Sequence, residues 1–424
     1  MNTQLDTNRH PCFNVGVKGE CGRVHLPVAP KCNILCNYCN RKFDCVNESR
    51  PGVTSAVLTP RQALSYLEQV LAAEPRITVV GIAGPGDPFA NPQETMETIR
   101  LVRERFPNLL ICLATNGLGL PPYVQELVDL KVSHVTITVN AVDPEIGKKI
   151  YSWVRDGKKV YRGLAAAELM LERQLAGIAA LKAGGVTVKV NTIVIPGIND
   201  HHVPEVARKM ASMGVDILNC MAVYPNAETP FAEIPEPSPG QMAAIQKEAA
   251  GFLPQMRHCT RCRADAVGLL EADRSDELRS CLTACARQVP DLPDKPYVAV
   301  ATTEGMLVNL HLGDAPAFQI WGPNGQGYAL VEERPAPPPG GGSQRWWDLA
   351  EVLKDCRAVL VSAIGDTPRA ILEESGVQPY EMSGFIEMGL QAVYRGETEQ
   401  LLKGRRLGLA KACTGNRRGC DVYV

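Results

Sequence analysis

The sequence predicts an α/β chain in two parts, a parallel (β/α)6 partial barrel followed by a small second α/β domain. Three observations predict it. Six short apolar runs alternate with amphipathic segments between residues 24 and 253, the pattern of parallel βαβ units. No dinucleotide-type GxGxxG accompanies them, which favours a barrel over a Rossmann sheet. Finally, a proline-punctuated stretch, Pro290-Asp-Leu-Pro293-Asp-Lys-Pro296, precedes a second βα series. At 424 residues the chain is too long for one ordinary domain.

The first strand is placed at Val24–Ala29, followed by a cysteine-rich loop and a helix opened by Thr59-Pro60, with proline in its first turn. Ile77–Ala83 reads as the second strand, leading into Gly84-Pro85-Gly86-Asp87 and a helix near Pro92–Arg105. Leu109–Ala114 is the third and ends in Thr115-Asn116-Gly117. Val135–Val139 is the fourth, ending at Asn140, and Thr187–Ile195 the fifth, ending in Pro196-Gly197. Val215–Val223 is the sixth, and a helix around Pro239–Leu253 closes the set. Glu271–Arg279 reads as a charged helix. In the second domain, strands are expected at Val298–Thr302 and Leu307–Leu310, joined by a Glu304-Gly305 turn. Further strands are expected at Phe318–Trp321, Tyr328–Glu332 and Ala358–Ile364. Its helices are expected at Arg345–Lys354, Thr367–Ser375 and Ser383–Arg395, with a loop at Pro335–Gly342. The division predicted is a barrel with metal ligands over 1–270, a linker over 271–295, a second domain over 296–395 and a basic, glycine-rich tail over 396–424.

A net charge of −2 suggests neither a nucleic-acid nor a membrane-surface role. No run of ~20 apolar residues is available to span a bilayer, and the polar opening residues Met1 to Arg9 do not read as a leader. The expectation is a cytoplasmic protein. In that reducing setting its fifteen cysteines read as metal ligands or reactive thiols rather than disulfides.

The centre of the chain is Cys32-Asn-Ile-Leu-Cys36-Asn-Tyr38-Cys39. Three thiolates so spaced can hold three irons of a [4Fe-4S] cluster and leave the fourth open. Zinc half-sites and packed cysteines share such spacings, but structural zinc takes four protein ligands. With Tyr38 before the third cysteine, at the C-terminal end of a barrel strand where such barrels place their chemistry, the motif resembles the radical SAM superfamily. The resemblance implies a TIM-type partial (β/α)6 barrel in which S-adenosylmethionine (SAM) binds the open iron. It also implies adenine contact from the backbone at Tyr38 and methionine contact from Gly84. The Gly84-Pro-Gly-Asp87 loop departs from the usual Gly-Gly-Glu, so it needs only glycine's close approach, and a side-chain role for Asp87 is left open. Thr136, Thr138 and Asn140 share one strand face and, with Ile193 and Ile195, are candidates for the SAM pocket. Ordinary β-propensity explains the threonines equally well.

Seven further candidate ligands surround this loop or return to it: Cys12, Cys21, His25, Cys45, Cys112, Cys259 and Cys262. They nearly supply the eight ligands of two more four-iron clusters, whereas Cys220 reads as packing. His10-Pro11-Cys12, the run Cys21-Gly-Arg-Val-His25-Leu-Pro-Val-Ala-Pro-Lys-Cys32, the triplet itself and Cys259-Thr-Arg-Cys262 resemble the NifB family of nitrogenase cofactor maturases. Residues from about 296 to 394 resemble the NifX-like, ribonuclease H-like carrier domain. The resemblance implies that two auxiliary [4Fe-4S] clusters, as substrate, are fused with a SAM-derived carbide and an extra sulfur into an [8Fe-9S-C] precursor of the iron-molybdenum cofactor. It implies one substrate cluster on Cys12, His25 and Cys112, and the other on Cys21, Cys45, Cys259 and Cys262. A histidine suits a cluster that must leave, because imidazole holds iron less strongly than thiolate. The partners implied are an iron–sulfur cluster donor protein, an electron donor such as ferredoxin or flavodoxin, and a downstream cofactor carrier or scaffold. Two other readings fit the same residues: a different radical SAM maturase with auxiliary clusters, and a non-enzymatic iron–sulfur scaffold. Cys281/Cys285 and Cys413/Cys420 are either transient metal ligands or incidental thiols; His311 and Cys356 are possible contacts in the second domain.

Overall fold

The computed structural model describes residues 5–47, 52–287, 294–324, 327–395, 398 and 401. Residue contacts divide the chain into two compact units, Met1–Ala286 and Arg287–Val424. The stretch 271–286, expected as linker, therefore folds with the first unit; Cys413 and Cys420 lie outside the described residues.

In the first unit the elements in order are β1 (Gly22–His25), β2 (Ile34–Cys36), α1 (Pro60–Ala73), β3 (Ile77–Ile82), α2 (Pro92–Arg105), β4 (Leu110–Thr115), α3 (Val124–Asp129), β5 (His134–Thr138), α4 (Pro144–Ile150), β6 (Tyr151–Asp156), β7 (Lys159–Tyr161), α5 (Gly163–Ala183), β8 (Thr187–Val194), α6 (Val203–Ser212), β9 (Ile217–Ala222), α7 (Pro239–Ala249), β10 (Val267–Gly268) and α8 (Arg279–Arg287). The main sheet runs β10-β1-β3-β4-β5-β8-β9, with six parallel strands and the antiparallel edge β10. Its end strands β9 and β10 do not pair, so the barrel is partial.

All six expected barrel strands are present, with ends that match or shift by up to four residues. The first is the largest shift: pairing with β3 stops at His25, and 26–29 run on as the approach to the cysteine loop. Thr59 caps α1 through a reciprocal box with Gln62, with Pro60 at the first helical position. The charged segment 271–278 is not helical. Arg274 is spent on Glu74, Glu277 and the Ala73 carbonyl, and the helix starts only at Arg279, where Leu282 and Cys285 supply a buried face.

Alternation sorts the strand residues. Ile111 and Leu113 of β4, Val135 and Ile137 of β5, and Val188 and Val190 of β8 join the core between sheet and helices. The intervening positions carry Cys112, His134, Thr136, Thr138, Lys189 and Asn191, of which all but Cys112 are buried polar residues. A barrel lined this way buries polar groups that each need a partner or a bound group to satisfy them.

The second unit holds β11 (Tyr297–Val300), β12 (Leu307–Val308), β13 (Ala317–Pro323), β14 (Tyr328–Pro335), α9 (Gln344–Val352), β15 (Cys356–Val361), α10 (Asp366–Glu374), β16 (Gln378–Glu381), β17 (Gly384–Phe385) and α11 (Ile386–Arg395). Its sheet order β14-β13-β11-β15-β16 joins an antiparallel meander to parallel β15 and β16, with an apolar cluster on each face. The expected hairpin through Glu304-Gly305 does not form: β12 pairs with β17 instead.

Candidate functional site

Two thiol-bearing regions occupy the first unit. At the mouth of the barrel, the cysteine triplet is fastened by an element that its sequence does not announce. β2 pairs antiparallel with β6, placing Cys36 opposite Tyr151, and β6 pairs with β7. From the other side the Gly84–Asp87 loop grips both ends of the triplet loop. Gly86 N–H donates to the Ala29 carbonyl, Asp87 N–H to that of Lys31 and Cys45 N–H to that of Pro85. A Cβ at Gly86 would lie 2.1 Å from the Lys31 carbonyl oxygen, so only glycine fits. The Asp87 carboxylate, 3% exposed, accepts from Asn116 N–H at 2.6 Å, Phe89 N–H at 2.9 Å and the Thr115 hydroxyl. The side-chain role left open for Asp87 is thus, in this structure, a clamp between the loops after β3 and β4.

Cys32, Cys36, Cys39 and Cys45 line one narrow pocket, with about 20 Å³ of water-accessible volume, together with Thr138 and Asn116. Burial drives all four thiols upward. Cys32 is pushed to about 12, with the Asp87 charge adding to the effect, and Cys45 rises further through the charges of the other three. Metal binding here must therefore displace protons.

Tyr38 is wholly buried; its hydroxyl donates to Asn47 Oδ1 at 2.6 Å and accepts from Asn140 Nδ2 at 2.8 Å. Asn140 Oδ1 in turn accepts from Ile193 N–H at 2.9 Å. Asn140, expected as a polar ligand contact, thus links Tyr38 to β8. Ile193 and Ile195 pack in the apolar cluster beneath the triplet, and Thr136 is buried in the barrel wall. Gly84 adopts φ +133° with Ala264 beside it.

Sequence reasoning missed the asparagines that bind this rim together. Asn116 Nδ2 donates to Asn33 Oδ1, Asn191 to the Asn47 carbonyl, Asn199 to the Asn140 and Ile193 carbonyls, and Asn226 to that of Tyr38. The signal available was position: Asn116 and Asn199, like Asn140, which the sequence did single out, follow the C-terminal ends of strands.

Deeper in the barrel lies the second region. Burial raises the Cys12 thiol, and the neighbouring Cys262, Cys112 and Cys259 raise it further, so these four thiols share one neighbourhood. The segment carrying Cys12 is tied to the 258–262 loop where the Pro11 carbonyl bonds His258 Nε2 at 3.0 Å. His25 bonds the Arg263 carbonyl through Nδ1 at 2.8 Å. A carbonyl only accepts, so Nδ1 carries the proton and Nε2 holds the lone pair, the tautomer of a metal ligand. Burial and the Arg23 charge lower His25 to about 4, keeping it neutral. Its ring occupies the space over Gly81, where a Cβ would come within 2.6 Å. Arg23 lies buried beneath, donating to Cys262 Sγ at 3.3 Å, the Gly268 carbonyl at 2.6 Å and Asp273 at 2.9 Å.

In the metal-free fold the thiols have these neighbours, which leave the ligand split implied by the resemblance open. Cys259 and Cys262 join Cys12 and Cys112, whereas Cys45 joins the triplet. Cys21 is buried at the entry to β1, outside the thiol contacts just described. Cys220 packs in the outer core and contacts Gln255. Cys281 and Cys285 contact Gln69 of α1, far in sequence from either region. No three His, Cys, Asp or Glu side chains among the described residues converge on a single-ion site.

The family model for the radical SAM superfamily matches residues 26–210, and that for dinitrogenase iron-molybdenum cofactor proteins matches residues 294–396. The FeMo cofactor biosynthesis protein NifB of Chlorobaculum tepidum is 55% identical over 98% of this chain and 100% of its own length. The chain belongs to the NifB family. The NifB of Klebsiella pneumoniae is 42% identical over 87% of this chain and 86% of its own. Among solved structures, Streptococcus suis SuiB aligns with 60% of this chain and 56% of that one at 12% identity and a TM-score of 0.41, too loosely to add to the assignment. As a NifB-family member the chain is a radical SAM enzyme of cofactor biosynthesis, with a radical SAM partial barrel and a NifX-like second unit. Its superfamily implies one [4Fe-4S] cluster and SAM. No helix among the described residues is long and apolar enough to cross a membrane.

Proposed function

We propose that this enzyme fuses two four-iron substrate clusters, with a SAM-derived carbide and one added sulfur, into the [8Fe-9S-C] precursor of the iron-molybdenum cofactor. The observation that carries the reading is the pairing of two thiol-rich regions in one barrel, a narrow pocket at the mouth and a second group of donors beneath it.

The mouth fits a cluster: three soft donors ring one pocket, the ligand type that iron–sulfur centres take. Cys32, Cys36 and Cys39 would hold it, and Tyr38, Gly84, Thr136, Thr138, Asn140 and Ile193 would shape the SAM seat. When bound, that cluster and SAM supply one-electron reductive cleavage and a 5′-deoxyadenosyl radical able to take a hydrogen atom. The residues around it orient and exclude water: the Asn140–Tyr38–Asn47 chain fixes the triplet from within, and Asp87 fixes it from the side.

Below, Cys12, Cys112, Cys259, Cys262 and neutral His25 offer both ligand classes that a departing substrate cluster needs. Cys21 and Cys45 complete the proposed ligand set, with Cys45 the one nearest the mouth. The NifX-like domain, which we take as 296–395, is read as a holding module for the product before a downstream carrier receives it. An iron–sulfur donor protein supplies the substrate.

Anaerobic reconstitution tests this. Iron should saturate at three clusters per chain, and turnover should give both S-adenosylhomocysteine and 5′-deoxyadenosine. Cys36→Ala should abolish 5′-deoxyadenosine while retaining the substrate iron. Saturation at a single cluster, or product formation by Cys36→Ala, would sink the proposal.

A further inference from the structure

A second cavity, an open groove of about 400 Å³, adjoins the triplet loop; Cys32, Asn33, Phe89 and Leu118 line it together with Lys31 and Arg155. Of the three triplet thiols, Cys32 alone borders both this groove and the narrow pocket. It is therefore the thiol through which a group held in the pocket is nearest to an outside donor. Lys31 and Arg155, both lining the groove, are exposed and make no ion pair among the described residues. Arg155 is held in place through its backbone, whose N–H donates to the Asn33 carbonyl. Exposed Arg41 adds to this basic set, reaching the Pro30 carbonyl at 2.9 Å, next to Lys31. The one acid in the lining, Asp156, is already engaged by Arg173 at 3.1 Å.

We propose that this groove is the docking site of a small acidic one-electron carrier protein. The inference rests on the reading of the mouth as a redox centre. Each encounter oxidises the carrier by one electron and reduces the centre by one, with no atom exchanged. Unpaired cations flanking the entry thiol steer an acidic partner and fix its register, an effect that acts on association and weakens with salt.

The test uses full-length, reconstituted protein and oxidised flavodoxin as the binding probe, titrated by flavin fluorescence at low and high ionic strength. The double variant Lys31→Glu/Arg155→Glu should weaken flavodoxin binding about tenfold at low salt. High salt should bring the wild type toward the variant. Lys31→Arg/Arg155→Lys should bind as wild type, and Lys209→Glu, on exposed α6, should change nothing. Reduction of the double variant by dithionite should match the wild type, which shows that its cluster and fold are intact. Equal flavodoxin affinity for wild type and the charge-reversed protein would overturn the docking site. Wild type that fails to cleave SAM even with dithionite would instead overturn the redox reading beneath it.

Discussion

The mouth and the interior of the barrel both gather thiols, yet they are built in opposite ways. At the mouth the three triplet cysteines fall within eight residues of sequence, and backbone hydrogen bonds from the loops after β1 and β3 hold them, with β6 alongside. In the interior, Cys12, His25, Cys112 and the Cys259–Cys262 loop come from four stretches spread over some 250 residues. Side chains hold them together, chiefly buried Arg23 and His25 itself. The contrast suits a resident cofactor in the first case and a substrate that must leave in the second. A locally encoded loop sets its ligands whatever else is bound, whereas a seat assembled from distant segments is stabilised by its occupant.

Exchanging one hydrogen for a methyl should separate the two regions, and this is the largest effect expected. Gly86→Ala places a carbon 2.1 Å from a backbone oxygen of the triplet loop, which has no room to move. It should cost the mouth cluster and all SAM cleavage. Gly81→Ala places one 2.6 Å from the His25 ring, which should be displaced. The outcome expected is loss of one substrate cluster's iron while reductive SAM cleavage persists. Iron analysis beside 5′-deoxyadenosine yield checks both, and the comparison breaks if Gly81→Ala also loses cleavage.

Next in size is the buried cation. Arg23 satisfies two carbonyls, Cys262 and Asp273 at once. Arg23→Met keeps much of the volume and removes every one of these bonds. Breaking a buried pair outright costs about 3–5 kcal/mol, and Asp273 is partly exposed, so a loss of about 2–3 kcal/mol is expected. Denaturant unfolding of the metal-free protein measures it. A change within about 0.5 kcal/mol, the range of ordinary surface substitutions, would mean that the interior seat is not braced in this way.

The mouth was legible in the sequence and the interior only in part, for the same reason. Cysteine spacing reports a local loop, and apolar runs report parallel strands, so the triplet and all six barrel strands were within reach. β2 was missed because it is three residues long and pairs with β6 across more than a hundred residues, and β6 and β7 because they form a short hairpin of mixed polarity. Spacing also gave no means of knowing that Cys45 folds back on the triplet while Cys259 and Cys262 reach Cys12. The Asn47–Tyr38–Asn140 chain exists only through tertiary placement; each asparagine alone reads as a turn residue. The segment 271–279 failed as a helix because its charges pair outward across the fold, a competition that periodicity does not register.

The smallest effect concerns protons, and there the two regions carry opposite signs. His134, 1% exposed in the barrel wall, contacts His10 and Phe13 and bonds the Ser133 hydroxyl; Lys189 lies near. Burial lowers it to about 3 from an ordinary 6.5. Between those values the unfolded chain holds a proton that the native chain does not, so native stability falls as pH drops below 6.5. Each such group contributes about 1.4 kcal/mol per pH unit. At the mouth, burial raises Asp87, so the native state keeps its proton longer and stability falls there as pH rises through the carboxylate range. His134→Gln should therefore reduce the acid-side slope of metal-free protein by about 1.4 kcal/mol per pH unit between about pH 6 and 4. Asp87→Asn should instead steepen the acid-side loss, because it removes the opposing contribution, while loosening the loop that Asp87 clamps. Unfolding midpoints across that range decide it, and an unchanged slope in His134→Gln would show that its ring is solvated rather than held neutral by the barrel.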